Sequence, residues 1–363
     1  MNLRWSVVAP LLPGEIISSW LVRAALMQGC DPMTLTLAAW PKWRLWTQDA
    51  DRFFDEARLD SICALSGLGK APLKSATLFP IANEIYGQAP PEKAAWTWFV
   101  APGARNTKRH TGIQYCPTCM KSDSVPYFRR RWRFAWHTGC EVHGHALLDR
   151  CHACNAPVEY HRLRAEDNLI TVCATCKSDL RAASVHRSQP DAQRFQLLAD
   201  DILRSGIGTF QEDAIVTAQW FELANYFVSL IRSAQRGENN PLNEFLRLVG
   251  VQLPETMPRH PGHRLEILSV NDREKLLAAL FPLMSTSKLQ FDEALKKASI
   301  TQQCLASHRP ATPSWIRITA ASLPSDLRRK ATRSVRELDG PRPRHQVKRM
   351  MARLQRKFEM AQR

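Results

Sequence analysis

Seven of the ten cysteines fall within residues 116–176, and six of those seven form C-x-x-C pairs: Cys116/Cys119, Cys151/Cys154 and Cys173/Cys176. The seventh, Cys140, opens a C-x-x-H pair with His143. Two residues between ligands let both side chains turn toward one ion while nearby backbone amides bond to the sulfurs. In chain order the ligands group as Cys116, Cys119, Cys140 and His143, then Cys151, Cys154, Cys173 and Cys176, with 20 and 18 residues between the pairs of each set. That is zinc-ribbon spacing, in which two tight knuckles fold back on one another. The expectation is two Zn²⁺ ions, each closed by four protein donors and therefore structural. An interleaved pairing satisfies the same spacings. His137, His145 and His152 stand nearby, but His143 alone has the x-x spacing to Cys140.

Other cysteine chemistry fits less well. Disulfides need an oxidising compartment, and a thioredoxin-like site uses one C-x-x-C. A zinc deaminase needs H-x-E with P-C-x-x-C, whereas here the proline follows Cys116 and no H-x-E accompanies it. Cys30, Cys63 and Cys304 are isolated and read as small buried side chains. The chain has no G-x-x-x-x-G-K-[ST] phosphate loop, and no acidic cluster suggests a nuclease or transposase metal site. The expectation is a protein that binds rather than an enzyme.

Charge points to what it binds. The 363 residues carry 50 Lys/Arg against 34 Asp/Glu, a formal +16. Residues 309–363 account for +11 and residues 105–137 for +7, so the remainder is close to neutral. Two local basic patches suit a polyanion such as DNA or RNA, although a solvated tail is the simpler reading of the second. The candidate contacts are Arg129, Arg130, Arg131 and Arg133 in the first patch. In the second they are Arg328, Arg329, Lys330, Arg333, Lys348, Arg349, Arg353, Arg356 and Lys357. No run of 18 uncharged apolar residues exists, which argues against a membrane helix. Trp5 to Leu12 is apolar only briefly and is broken by Pro10 (Pro13 follows), a poor secretory segment. A cytoplasmic place is expected, with the nucleoid when bound to DNA.

The elements that must position these residues are mainly α-helical. Residues 1–85 show an apolar stripe at Ile17, Trp20, Leu21, Ala24 and Ala25, stopped at Gly29, and then Asp31-Pro32 as a cap with an N1 proline. Residues 51–78 contain two short helical stretches around Gly67-Leu68-Gly69, a helix-turn-helix candidate with Lys70 and Lys74 on its second helix. Residues 86–112 read as a linker, with Trp96, Trp98 and Phe99 docked on a neighbour. Residues 113–185 hold the tandem zinc modules, with short β-strands. Within them, Phe128, Trp132 and Trp136 recur at helical spacing, while Phe128, Trp132, Phe134 and Trp136 also fit alternation with arginines between; the period is ambiguous, and a short helix is the reading preferred. Such a run can grip phosphates and stack on bases, but small metal modules need such aromatics for a core, and the packing reading is preferred. Residues 190–305 form a helical bundle, with Asn271-Asp272 as one cap and a second helix-turn-helix candidate over Phe291–Ala298 and Ile300–Leu305. Residues 309–363 are a proline-bearing basic tail. There Val347, Met350, Met351, Leu354 and Phe358 predict a helix over about 343–361.

This order of elements resembles the TniQ/TnsD family. The opening Leu12-Pro13-Gly14-Glu15-Ile16-Ile17-Ser18-Ser19-Trp20-Leu21-Val22-Arg23 is similar to that family's P-x-G-E-S-x-x-S-W-like start, with Ile16-Ile17 where a small polar residue is common. Tyr115-Cys116-Pro117-Thr118-Cys119, the Trp132 segment, Cys140 to Leu148 and Cys151-His152-Ala153-Cys154 look like its paired zinc modules. The resemblance covers about residues 8–180, weakens over 190–305 and is absent from the tail. It implies a transposition target-selection adaptor. Its partners would be an AAA+ ATPase regulator of the TnsC/TniB kind, and target DNA or a CRISPR effector with its guide RNA. A homodimer is plausible by the same analogy. The alternative is a zinc-containing helix-turn-helix transcription regulator that reads DNA itself.

Overall fold

Gly14, at φ +68°, turns the chain into α1 (Ile17–Met27). Its apolar stripe packs against α2 (Pro32–Ala39), α3 (Glu56–Ser66) and α4 (Lys70–Ser75) through Leu35, Leu59, Ile62 and Leu73, and α5 (Phe79–Tyr86) follows. The computed structural model describes residues 4–52, 54–92, 94–101, 112–235, 241–253, 264–306 and 312–325, with 347–348, 351–352 and 354–355. The chain divides into two units, Met1–Leu323 and Pro324–Arg363. Among the described residues it has thirteen α-helices and one two-stranded sheet, so the fold is mainly α.

The stripe on α1 predicts a polar outer face, yet every residue from Ile17 to Ala25 is buried, Ser18, Ser19 and Arg23 included. Ile16 and Val22 belong to a second core that runs through the middle of the chain into the C-terminal helices. The helix is thus enclosed, and its polar groups must find partners inside. Asp31 stands at the cap position of α2 but does not cap it; its carboxylate accepts from the Ala165 amide at 2.7 Å instead. The first helix-turn-helix candidate is present as α3 and α4, turned by Gly67 at φ +75°.

After α6 (Pro117–Ser122) the middle of the chain is knuckles and short 3-10 turns. The short strands expected there are single β-bridges, including Tyr115 with Leu148, Gly139 with Ala146, Arg150 with Pro157 and Val172 with Asp179. Each knuckle reverses the chain within a few residues, which leaves no length for a ladder. The helix expected across Phe128 to Trp136 is reduced to one 3-10 turn, Arg130–Arg133. Bridges from Glu15 to Arg129 and from Phe99 to Phe134 hold its flanks extended.

The C-terminal part of the first unit contains α7 (Pro190–Ser205), β1 (Ile207–Phe210), β2 (Asp213–Val216), α8 (Thr217–Ala234), α9 (Pro241–Leu248), α10 (Val270–Met284), α11 (Lys288–Lys297), α12 (Gln302–Ala306) and α13 (Ser314–Ala321). The hairpin pairs Ile207 with Val216 and turns at Gln211-Glu212, both at positive φ. A helical reading of this region misses it, because its turn lacks the Asn-Gly or Asp-Gly that marks such hairpins. The cap of α10 is Ser269, whose Oγ accepts from the Asp272 amide at 3.1 Å, two residues before the pair expected. The second helix-turn-helix candidate corresponds to α11 and α12. Phe291 of α11 is enclosed by Phe210, Phe227, Phe245 and Trp315.

A buried cation joins these parts. Arg133 is 1% exposed. Its guanidinium donates to Asp51, to Asp49 at 2.8 Å and to the Val100 carbonyl at 2.9 and 3.1 Å. Burial alone would lower its pKa, but Asp49 and Asp51 hold it above the ordinary arginine value. A second buried arginine, Arg273 of α10, donates to the Ala135 carbonyl at 2.9 Å and to Gln114 at 2.8 Å. Burial brings its pKa down to about 10.

Removing one partner of a buried charge network leaves the others uncompensated, so Arg133→Ala is expected to cost about 3–5 kcal/mol. The urea midpoint of the full chain, at unchanged m-value, measures it. A second outcome concerns His161, whose ring stacks on Trp46 at 5.5 Å and whose pKa burial brings down to about 4. The unfolded chain then binds a proton, near pH 6.5, before the folded chain does. Stability should therefore be full above about pH 6.5 and fall as pH drops toward 4, by at most about 1.4 kcal/mol per unit from this group. His161→Phe should flatten that part of the pH–stability curve.

Candidate metal centres

Four knuckles carry the ligands, and three share one backbone. In each, the first ligand's carbonyl accepts from the amide four residues on: Cys140 from Gly144 at 2.8 Å, Cys151 from Asn155 at 3.0 Å and Cys173 from Lys177 at 2.9 Å. In each, its amide donates to the carbonyl five residues on, in His145, Ala156 and Ser178. Closing so tight a loop forces the fifth residue into the left-handed region: φ is +65° at Gly144, +56° at Asn155 and +64° at Lys177. Gly and Asn adopt this readily, and they are the sequence signal for it. The fourth knuckle is the start of α6, with Cys116 as N-cap and Pro117 at the first helical position. Cys116 Sγ accepts from the Cys119 amide at 3.5 Å, and the helix start favours negative charge.

These knuckles bring the eight residues into two tetrads, Cys116–Cys119–Cys140–His143 and Cys151–Cys154–Cys173–Cys176. Within each, the ligand atoms lie within 4.8 Å of one another. The interleaved pairing left open by the sequence is not the one formed. A tetrahedral Zn²⁺ with bonds of about 2.3 Å to sulfur and 2.0–2.1 Å to nitrogen implies S···S edges of about 3.8 Å and S···N edges of about 3.6 Å. The S···S separations are 3.5 Å for Cys119–Cys140, 3.6 Å for Cys151–Cys176 and 3.8 Å for Cys154–Cys173. His143 Nδ1 lies 3.7, 3.4 and 3.5 Å from the sulfurs of Cys116, Cys119 and Cys140. All ten cysteines are free. Hydrogen bonds shared with the Cys116 and Cys140 sulfurs raise the Cys119 thiol above its ordinary pKa and lower Cys140 below its own, so the three sulfurs share protons at close quarters. Donor set and dimensions both fit Zn²⁺, and four protein donors leave it no open position.

The other nearby histidines are engaged elsewhere or exposed. His137 bonds Asp200 at 2.8 Å, His145 Nδ1 lies 3.4 Å from Thr118 Oγ1, and His152 is exposed.

The arginine run is brought together with the first tetrad but not as one cationic face. Arg133 is enclosed, as described, which corrects its assignment as a contact for a polyanion: its charge is spent on Asp49 and Asp51. Arg129 forks onto Asp123 at 2.8 and 3.1 Å and lies over the rings of Tyr127 and Trp132. Arg130 donates to the Ser75 carbonyl, and Arg131, the most exposed of the four, pairs with Glu141. In the tail, Lys348 is helical and exposed. Arg328, Arg329, Lys330, Arg333, Arg349, Arg353, Arg356 and Lys357 lie outside the described residues. Lys70 and Lys74 of α4 pair with Glu56 and Asp60 of α3.

Sequence reasoning passed over one feature of the opening motif. The Glu15 carboxylate accepts from the Leu12 amide at 3.1 Å, Ser19 Oγ at 2.8 Å and Arg23 at 2.8 Å. Ser19 Oγ in turn accepts from the Phe128 amide at 3.0 Å, and the Arg130 amide donates to the Gly14 carbonyl at 2.7 Å. The spacing Glu15, Ser19, Arg23 is one polar line along a helix, and that is its signal in the sequence. Residues 7–147 match the TniQ family model. The chain carries a TniQ domain. No curated protein matches the chain. The TniQ domain marks a transposition-associated protein, and it contains the Glu15 latch, the first tetrad and the arginine run. It ends before Cys151, so the second tetrad lies beyond it.

Cys116→Ser and Cys173→Ser are each expected to remove one of two bound Zn²⁺ ions and to loosen the surrounding knuckles. Elemental analysis of the purified variants, with hydrogen exchange of the affected loops, checks this; two tightly held ions in either variant would refute the grouping.

Proposed function

We propose that this protein is a transposition target-selection adaptor that works by binding and catalyses no reaction. In this reading Cys116, Cys119, Cys140, His143, Cys151, Cys154, Cys173 and Cys176 hold two structural Zn²⁺ ions. The protein connects target recognition, by DNA directly or through an RNA-guided CRISPR effector, to an AAA+ ATPase regulator that recruits the transposase. A homodimer belongs to the same proposal. We divide the work among residues 1–85, a 86–112 connector, the 113–185 metal modules, a 190–305 helical part and the 309–363 basic tail.

The observation that carries the reading is the fastening of the TniQ opening motif to the segment between the first tetrad's ligand pairs, through Glu15, Ser19 and Phe128. A connector must transmit position between two partners, and buried polar ties of this kind hold parts in one register. Closed tetrads support the same reading, because a metal with four protein donors braces loops and does not activate water. Arg131 and the tail residues from Arg328 to Lys357 are the cations assigned to nucleic acid or partner. The ion pairs of Lys70 and Lys74 with their own preceding helix weigh against groove reading by α3 and α4 as the main activity.

Immobilised full-length protein should capture the AAA+ regulator in its ATP-loaded form and not its ADP form. Absence of capture, with both zincs bound and the fold intact, would overturn the adaptor reading. Deleting 325–363 should weaken binding to duplex DNA and flatten its salt dependence while the urea midpoint stays unchanged.

A further inference from the structure

The two tetrads differ in how solvent reaches them. In the first, Cys116, Cys119 and Cys140 are all buried and His143 half-buried. In the second, Cys151 and Cys173 are buried while Cys154 and Cys176, the second ligand of each pair, are exposed. Cys176 Sγ is also 3.6 Å from Cys151 Sγ and 3.3 Å from Ser178 Oγ. An exposed thiolate with a second thiolate in van der Waals reach has the arrangement of a redox-sensitive site: the first sulfur meets the oxidant and the second resolves it.

We infer that the second tetrad is an oxidation site for peroxides, which eject its metal, while the first tetrad is shielded. This rests on the proposal that each tetrad holds Zn²⁺. The Cys176 thiolate attacks one peroxide oxygen and breaks the O–O bond, giving a sulfenic acid and hydroxide. The Cys151 thiolate then attacks the Cys176 sulfur and displaces a second hydroxide, forming the disulfide. Two sulfurs lose two electrons, one peroxide gains them, and two protons convert the hydroxides to water. With two thiolates left, the tetrad no longer closes around the ion.

The consequence reaches the TniQ domain. Residues between the second tetrad's ligand pairs tie it to α1, to the residue before α2 and to the turn that follows: Tyr160 OH bonds Ser18 Oγ at 2.5 Å, the Ala165 amide donates to Asp31, and His161 stacks on Trp46. Oxidation therefore loosens a fastening of the N-terminal helices as well as a surface loop.

The test treats the full-length protein, first shown by elemental analysis to carry two Zn²⁺, with hydrogen peroxide. A chelating dye follows the metal, and peptide mass mapping locates the disulfide. One equivalent should be released with a disulfide among Cys151, Cys154, Cys173 and Cys176, and loss of the second should be slower by roughly tenfold or more. Hydrogen exchange should rise over residues 156–182. Cys176→His copies the C-x-x-H pair of the first tetrad, so it should keep the metal and slow the peroxide-driven release; Cys154→His is the companion variant. Fewer than two zincs at the outset would overturn the metal reading and this inference with it. Two zincs followed by equal release from both tetrads, or by oxidation of Cys116, Cys119 or Cys140 first, would overturn this inference alone.

Discussion

The guanidinium of Arg133 lies out of solvent between the carboxylates of Asp49 and Asp51, and the positions of the surrounding parts follow from it. A buried cation is tolerable only where its donors meet acceptors, and here they meet two carboxylates and the Val100 carbonyl. The carboxylates come from the N-terminal helical part, the carbonyl from the segment after Trp96, and the arginine from the segment between two metal-ligand pairs. Segment 126–136 is held on its other sides by Ser19 and by Gly14, by Asp200 on Trp136, and by Arg273 on the Ala135 carbonyl. Eleven residues thus touch the N-terminal helices, the first tetrad and the C-terminal helices at once. Such polar ties contribute register rather than much net stability, since taking the charges from water costs nearly what their attraction returns.

The two tetrads, as candidate metal centres, answer a different problem. The chain around them has almost no regular secondary structure, so it needs another source of rigidity. Four knuckles supply it, three with the same five-residue loop and the same left-handed residue after the second ligand. The aromatic side chains between them, Phe128, Trp132, Phe134 and Trp136, join the core that continues into α7, α8 and α10. The knuckle region is therefore part of a shared interior in the first unit, with Cys116, Cys119 and Cys140 of the first tetrad inside it.

Local rules read some parts well and others not at all. The stripe on α1 was legible because apolar residues at helical spacing need a core. That its opposite face would also be buried was not, because Ser18, Ser19 and Arg23 look like solvent-facing residues until their partners are known. The helix over Phe128 to Trp136 was misread for a related reason: helical spacing of aromatics also arises when neighbouring side chains enter separate parts of one core. Gln211-Glu212 hides a hairpin because both residues take a conformation that their types disfavour, and the packing of Phe210 against Phe227, Phe291 and Trp315 anchors it together with the strand pairing. The cap of α2 was displaced because Asp31 found a stronger claim in the Ala165 amide.

By itself the sequence determined the eight candidate ligands and their x-x pairs, the mainly helical class and the family of the first part, while the fold decided which pairs share a tetrad. These depend on residue type and short spacing: a C-x-x-C pair serves a metal, or a stripe serves a helix, wherever the chain goes. Tertiary structure alone decided which arginines are available. Arg129, Arg130, Arg131 and Arg133 are adjacent in one basic run, yet they have four different fates, from a fork onto Asp123 to full enclosure between Asp49 and Asp51. A charge's use is set by what stands opposite it, and for Arg133 the opposing carboxylates come from more than 80 residues away.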